Sequence, residues 1–127
     1  MLSLIVASVA LLFVHVGAQA IAATSELGSA WNTGPRDEGV KPQGAVAGRA
    51  ERALRNYLET YAAFAVLAVA LVVSGRADGI GLIGGATWLV ARIVYIPLYL
   101  AGIPYWRSLA WLAAVVGLAL MAARLLV

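Results

Sequence analysis

Residues 50–101 read AERALRNYLETYAAFAVLAVALVVSGRADGIGLIGGATWLVARIVYIPLYLA. The stretch opens with a basic, polar segment, is wholly apolar after Tyr61, breaks at Gly75-Arg76-Ala77-Asp78-Gly79, and resumes as a second apolar run, Ile80 to Ala101. Glycines in a tight turn between two helix-length runs predict a helical hairpin. About 20 apolar residues cross a bilayer, so residues 50–74 and 80–101 are read as two membrane spans. Outward in both directions the pattern repeats. Leu2 to Ala23 forms another apolar run, and Tyr105 to Val127, after the turn Gly102-Ile103-Pro104, forms a last one. Spans over 2–23, 50–74, 80–101 and 105–127 make residues 1–127 a single all-α integral membrane domain, an up-down four-helix transmembrane bundle.

Composition agrees. Of 127 residues, 63% are hydrophobic and 12% charged, against about a quarter charged in soluble domains, and mean hydropathy is +0.91. Four spans and their connections use the whole chain, so any site is built from helices and their ends. Nine Lys+Arg against six Asp+Glu leave a net charge of +3, too sparse and scattered for a nucleic-acid surface. With no cysteine and one histidine, disulfide and Cys- or His-cluster metal frameworks are excluded. Ala18-Gln19-Ala20 has the form of a signal-peptide cleavage site, but no Lys or Arg precedes the run, and His15 and Gln19 interrupt it; it is read as a retained first span.

Residues 24–48 hold five glycines, two prolines and Arg36, Asp37, Glu38 and Lys41, breakers that predict an aqueous loop. Trp31 suits the headgroup level. Arg36, Lys41, Arg49, Arg52, Arg55 and Arg107 fall on the side of this loop, and only Arg76 and Arg124 on the side of the termini. The positive-inside rule places loops 24–48 and 102–104 in the cytoplasm and both termini outside.

The polar residues also gather at the loop end. In span two Arg49, Arg52, Asn56 and Glu59 step by 3, 4 and 3; in span three Trp88, Arg92, Tyr95 and Tyr99 step by 4, 3 and 4; in span one Ser8, His15, Gln19 and Glu26 step by 7, 4 and 7. Each set forms one stripe on its helix. Charge in lipid costs on the order of 3 kcal/mol, so these faces turn toward each other, toward a neighbouring subunit or toward a wet cavity. Bland readings stand beside the functional ones. Arg49, Arg52 and Arg55 also suit headgroup anchors, and Glu51 with Arg55 suits a surface pair. Glu59, deeper than these, needs a partner or a proton, and reads either as a structural clamp or as part of a polar ligand site. Arg92 reads as structural, with Glu59 as its expected partner. His15 is expected to be a hydrogen-bonding bundle residue rather than a metal ligand. Tyr95 and Tyr99 suit interface aromatics or a ligand-facing pair. Pro97 predicts a kink, and Gly81 with Gly85 forms a GxxxG of close helix packing. No P-loop, GxSxG elbow, HExxH or cysteine ligand set occurs. The remainder is a basic, tyrosine-lined pocket at one leaflet, suited to an anionic polar molecule beside an apolar one.

Two segments carry a resemblance. Glu51-Arg52-Ala53-Leu54-Arg55-Asn56-Tyr57-Leu58-Glu59 resembles the second-helix signature Arg-x-x-x-Asn-x-x-Glu of the membrane-associated proteins in eicosanoid and glutathione metabolism (MAPEG), filled here by Arg52, Asn56 and Glu59. Arg92, Tyr95 and Tyr99 are similar to the family's Arg-x-x-Tyr-x-x-x-Tyr stretch. The likeness covers Leu2 to Val127, nearest the small bacterial branch. It implies a homotrimer that binds glutathione as co-substrate, without a metal, at cytoplasmic-side subunit interfaces. Arg52, Asn56, Glu59, Tyr95 and Tyr99 would contact glutathione, with Arg49, Arg55, Arg92, His15 and Gln19 in support. The implied activity is glutathione transferase- or peroxidase-like, acting on a lipophilic small molecule from the membrane lipid. The family's thiolate-stabilising arginine falls to Arg107, displaced by one position on an ungapped count from Tyr99, which turns it about 100° around a helix. Thr60 stands where glutathione-using members tend to carry an aromatic residue. Both departures imply a weakened or altered site. Two other classes stay open: a non-catalytic membrane scaffold or lipid-binding protein that keeps the polar cluster for packing, and a small four-span exporter, disfavoured because the charge lies near one surface rather than at the midplane.

Overall fold

A computed structural model describes residues 1–127. Its helices are α1 (Leu2–Leu27), a short α2 (Ser29–Thr33), α3 (Ala45–Val73), α4 (Gly79–Ala101) and α5 (Pro104–Leu126). All but α2 are long and apolar enough to cross a membrane, and the protein is an integral, multi-pass membrane protein. Only 22 of 127 residues are buried within the chain; Val6, Phe13, Ile21, Val66 and Val90 are among the large apolar side chains that face outward. That is the inverse of a soluble fold and suits lipid or a second protein surface.

The stretch expected to be loop is partly helical. α1 continues through Thr24–Leu27, and α3 begins at Ala45 and runs through Gly48. The reason lies in Glu26, whose carboxylate accepts the backbone N–H groups of Gln43 (2.5 Å) and Gly44 (2.9 Å). It thereby caps the first turn of α3, where donors lack helical partners and a negative charge is favoured. Between the two helices, α2 is followed by an irregular strap. Trp31 Nε1 donates to the Val40 carbonyl at 3.1 Å, and the Arg36 guanidinium lies 4.3 Å from the centre of the Trp31 ring.

The four long helices form a diamond rather than a square. α3 packs on α1, α4 and α5, and α4 on α1, α3 and α5, whereas α1 and α5 do not touch. The tightest seam joins α4 to α5. A Cβ at Gly84 would stand 2.5 Å from the Gly117 carbonyl oxygen, and one at Gly117 would stand 2.6 Å from that of Gly84, so glycine is required on both sides. The Gly81 and Gly85 pair of the sequence motif faces other neighbours, Leu71 with Arg124 and Leu4 with Met1 respectively. Pro97 lies inside α4, which continues past it to Ala101. The core is aromatic at its centre: Phe64 and Trp88 stack at 4.0 Å with an interplanar angle of 9°, joined by Tyr57, Leu71 and Met121.

Candidate functional site

One layer of the bundle, toward the loop end of α3 and α4, concentrates the polar side chains. Its centre is Arg92, 1% exposed. One guanidinium nitrogen donates to Asn56 Oδ1 at 2.8 Å and the other to Thr60 Oγ1 at 2.6 Å. Trp88 Nε1 points at the same hydroxyl from 3.4 Å. Asn56 Nδ2 in turn donates to Glu59 Oε2 at 3.1 Å. Arg92 therefore does not pair with Glu59 as expected. Asn56 lies between them: α3 is rotated so that Asn56 is half-buried against α4 while Glu59 is exposed at the outer edge of the same stripe. Glu51 and Arg55 do not pair either; the one ion pair of the structure is Arg124 with Asp78.

Thr60 thus has a structural task. Where the resemblance leads one to expect an aromatic ring, a small hydroxyl lets Arg92 and Trp88 converge on a single acceptor. Next to it Tyr57, fully buried, donates from its hydroxyl to the Ser8 carbonyl at 2.6 Å and packs against His15, ring centres 4.6 Å apart and planes tilted by 32°. His15 is buried, and its Nε2 has no partner; it packs against an aromatic instead of making the expected hydrogen bond. Tyr57 is not singled out by the polar stripes; the signal that marks it is its spacing of 4 and 7 from Ala53 and Ala50, on the buried apolar stripe of α3.

From Arg92 the layer runs along α4 toward α5. The Arg92 guanidinium lies 5.4 Å from the Tyr95 ring, Tyr95 and Tyr99 rings lie 5.3 Å apart, and the Arg107 guanidinium lies 4.9 Å from the Tyr99 ring. Asn56, Tyr95, Tyr99, Arg107, Ser108 and Trp111 line one open cavity of about 300 Å³. The one-position displacement of Arg107 therefore does not turn it away. α5 begins directly at Pro104, with proline at its first turn, so the register after the Gly102 turn aims Arg107 back at Tyr99. Gly102 has φ +75°, a left-handed conformation that suits glycine. The Arg49 guanidinium covers this turn and donates to the Leu100 carbonyl at 3.0 Å, satisfying the end of α4.

Other expected site residues lie apart. Arg52, Arg55 and Glu59 are exposed on the outer face of α3, and neither Arg52 nor Arg55 reaches a hydrogen-bond acceptor. Glu59 is midway along α3, about 21 Å from its Val73 end at 1.5 Å per residue, deep enough that lipid alone is a poor neighbour. Gln19 lines a different cavity, under the strap. No group of His, Asp and Glu side chains is arranged to hold a metal ion.

Fold and site together define a four-span helical membrane protein with an arginine-tyrosine-asparagine cavity toward one end of its bundle. The chain matches the family model described as MAPEG family over residues 3–127, and it belongs to that family. Comparisons with curated proteins and with solved structures found no match.

Proposed function

We propose that the protein binds glutathione in the Asn56–Tyr95–Tyr99–Arg107 cavity and presents its thiolate to lipophilic electrophiles or peroxides arriving from the bilayer. The observation that carries this reading is the convergence of Arg107, Tyr95, Tyr99 and Asn56, from three helices, on one cavity. A guanidinium matches a carboxylate or stabilises a thiolate, and tyrosine hydroxyls donate to either. Asn56 is held by Arg92 and Glu59, so its carboxamide is fixed before a ligand enters, which lowers the ordering cost of binding.

The same reading takes the active assembly to be a homotrimer with the site between subunits on the cytoplasmic side, and the termini on the opposite side. It is supported by the outer face of α3, where Arg52, Arg55 and Glu59 stand exposed at or below headgroup depth. A neighbouring copy or the charges of glutathione would answer them: arginine for its carboxylates, Glu59 for its ammonium. In the reaction Arg107 holds the thiolate sulfur, which attacks the electrophilic carbon of the acceptor. The bond to its leaving group breaks, and a thioether forms.

Turnover of 1-chloro-2,4-dinitrobenzene with glutathione by the detergent-purified protein tests the chemistry. The parent is expected to conjugate it, and Arg107→Ala to lose at least tenfold in kcat while still binding glutathione. Equal turnover in parent and variant removes Arg107 from the mechanism. A second reading, a non-catalytic member of the same fold, has one observation in its favour: both terminal nitrogens of Arg92 already donate to Asn56 and Thr60 inside a single chain, although its buried Nε has no partner. Absence of turnover together with absence of any glutathione-dependent stabilisation would select it.

A further inference from the structure

A second polar cavity, of about 240 Å³, lies under the strap that joins α2 to α3, and it shares no lining residue with the Arg107 cavity. Its polar groups are Gln19 of α1, Arg36 and Lys41 of the strap, and Glu51 of α3, with Trp31 beside them. The strap is fastened at three points. Glu26 holds Gln43 and Gly44, Trp31 holds Val40, and Arg36 both covers Trp31 and donates to the Asn32 side chain at 2.7 Å. Arg36 adopts φ +59°, a left-handed conformation unusual for a side-chain-bearing residue, which those contacts hold in place.

The charges of this cavity stand at its open mouth: Arg36, Lys41 and Glu51 are all exposed. Lys41 and Glu51 share it, yet neither side chain forms an ion pair or hydrogen bond. Two opposite charges facing one space without meeting suit a ligand that carries both. Depth narrows the ligand further. Gln19 stands about 26 Å along α1 from Leu2, and Glu51 about 33 Å along α3 from Val73, at 1.5 Å per residue. A hydrocarbon layer is about 30 Å thick, so the two straddle its loop-side edge. One turn deeper on the Gln19 face is Val16, and two turns deeper on the Glu51 face is Leu58, both exposed and apolar.

We infer that this cavity binds the zwitterionic headgroup of a phospholipid with a primary ammonium, a phosphatidylethanolamine. Lys41 and the free side of Arg36 take the phosphate, Glu51 and the Gln19 carbonyl accept from the ammonium, and the acyl chains descend over Val16 and Leu58. A primary ammonium is favoured over a quaternary one because carboxylate and carboxamide oxygens accept N–H bonds, whereas a choline prefers aromatic faces and one face of Trp31 is already covered by Arg36. Free glutathione offers a similar pair of charges without acyl chains.

Native mass spectrometry of the full chain, released from detergent supplied with dioleoylphosphatidylethanolamine, the phosphatidylcholine or the phosphatidylglycerol, reads the site directly. The ethanolamine lipid is expected to stay bound at collision energies that strip the other two. Lys41→Gln and Glu51→Gln should each lower the retained adduct about tenfold, the scale of one lost charge-assisted contact, while Lys41→Arg and Glu51→Asp keep it. Arg107→Ala should leave it unchanged, which separates this site from the proposed glutathione cavity. Equal retention of all three lipids, or an undiminished adduct in both glutamine variants, overturns the inference. Displacement of the lipid by millimolar glutathione would assign the cavity to a free zwitterion and overturn it equally.

Discussion

The two ends of the bundle treat their charges differently. At the turn between α3 and α4 each cation has an acceptor: Arg124 donates to Asp78 Oδ1 through two nitrogens at 2.8 and 3.2 Å, and Arg76 donates to the Leu125 carbonyl at 2.5 Å. These contacts tie the end of α5 to the α3–α4 turn. At the loop end Arg49 and Arg92 are committed in the same way, but Arg52, Arg55, Arg107 and Lys41 hold no acceptor. Both ends carry cations, and only at one are they in excess of what the fold itself uses. Charge beyond the needs of folding is what the proposed ligand site and assembly draw on.

The largest effect expected from breaking this contrast is at Arg92, the committed cation of the loop end. Arg92→Ala leaves a void beside Trp88 and strips the donors from Asn56 and Thr60, a loss of about 3 kcal/mol or more. Thermal melting in detergent should show a large fall in Tm. A Tm within a degree of the parent would mean that the layer does not hold the fold, and that its residues are all free for a ligand.

A smaller change is expected at the turn end. The hydrogen bond and positive charge of Arg124 hold the Asp78 carboxyl below its ordinary value of 3.8. A carboxyl depressed in the folded state stabilises above its unfolded value and loses that contribution as the pH falls through the folded one. Asp78→Asn should therefore lower Tm slightly at pH 7 and coincide with the parent once the pH falls well below 3.8. The side chain is exposed, so the shift is small and shrinks with added salt. A difference between parent and variant that persists in acid would show that the clasp acts through packing rather than charge. Arg55→Ala, which removes an exposed cation with no acceptor, should move Tm least of all.

Sequence reading reached the fold class because it rests on length and periodicity within one helix. Four apolar runs, their turns and the crowding of charge at one end were all legible. What it missed depends on how helices rotate against one another. Asn56, Glu59 and Arg92 were visible as stripe members, but whether Arg92 met Asn56 or Glu59 turns on an α3–α4 rotation that no single-helix pattern encodes. Thr60 looked like a departure until Arg92 and Trp88 were seen to share its hydroxyl. The Gly84–Gly117 seam went unread because its partners lie on separate helices, whereas Gly81 and Gly85 share one. Glu26 stood in a stretch full of breakers, and its capping of α3 requires a contact 18 residues away in sequence.

Arg52 and Arg107, cations of the loop end that the fold leaves without an acceptor, are the ones assigned to the proposed glutathione site. Thermal unfolding of the purified protein with and without millimolar glutathione, repeated with S-hexylglutathione, tests that assignment most directly. Ligand at 100 times its dissociation constant adds about 2.7 kcal/mol. The parent and Asp78→Asn should both show a clear rise in Tm, and Arg52→Ala should lose it. No rise in the parent with either ligand, or the same rise in Arg52→Ala as in the parent, would contradict the account.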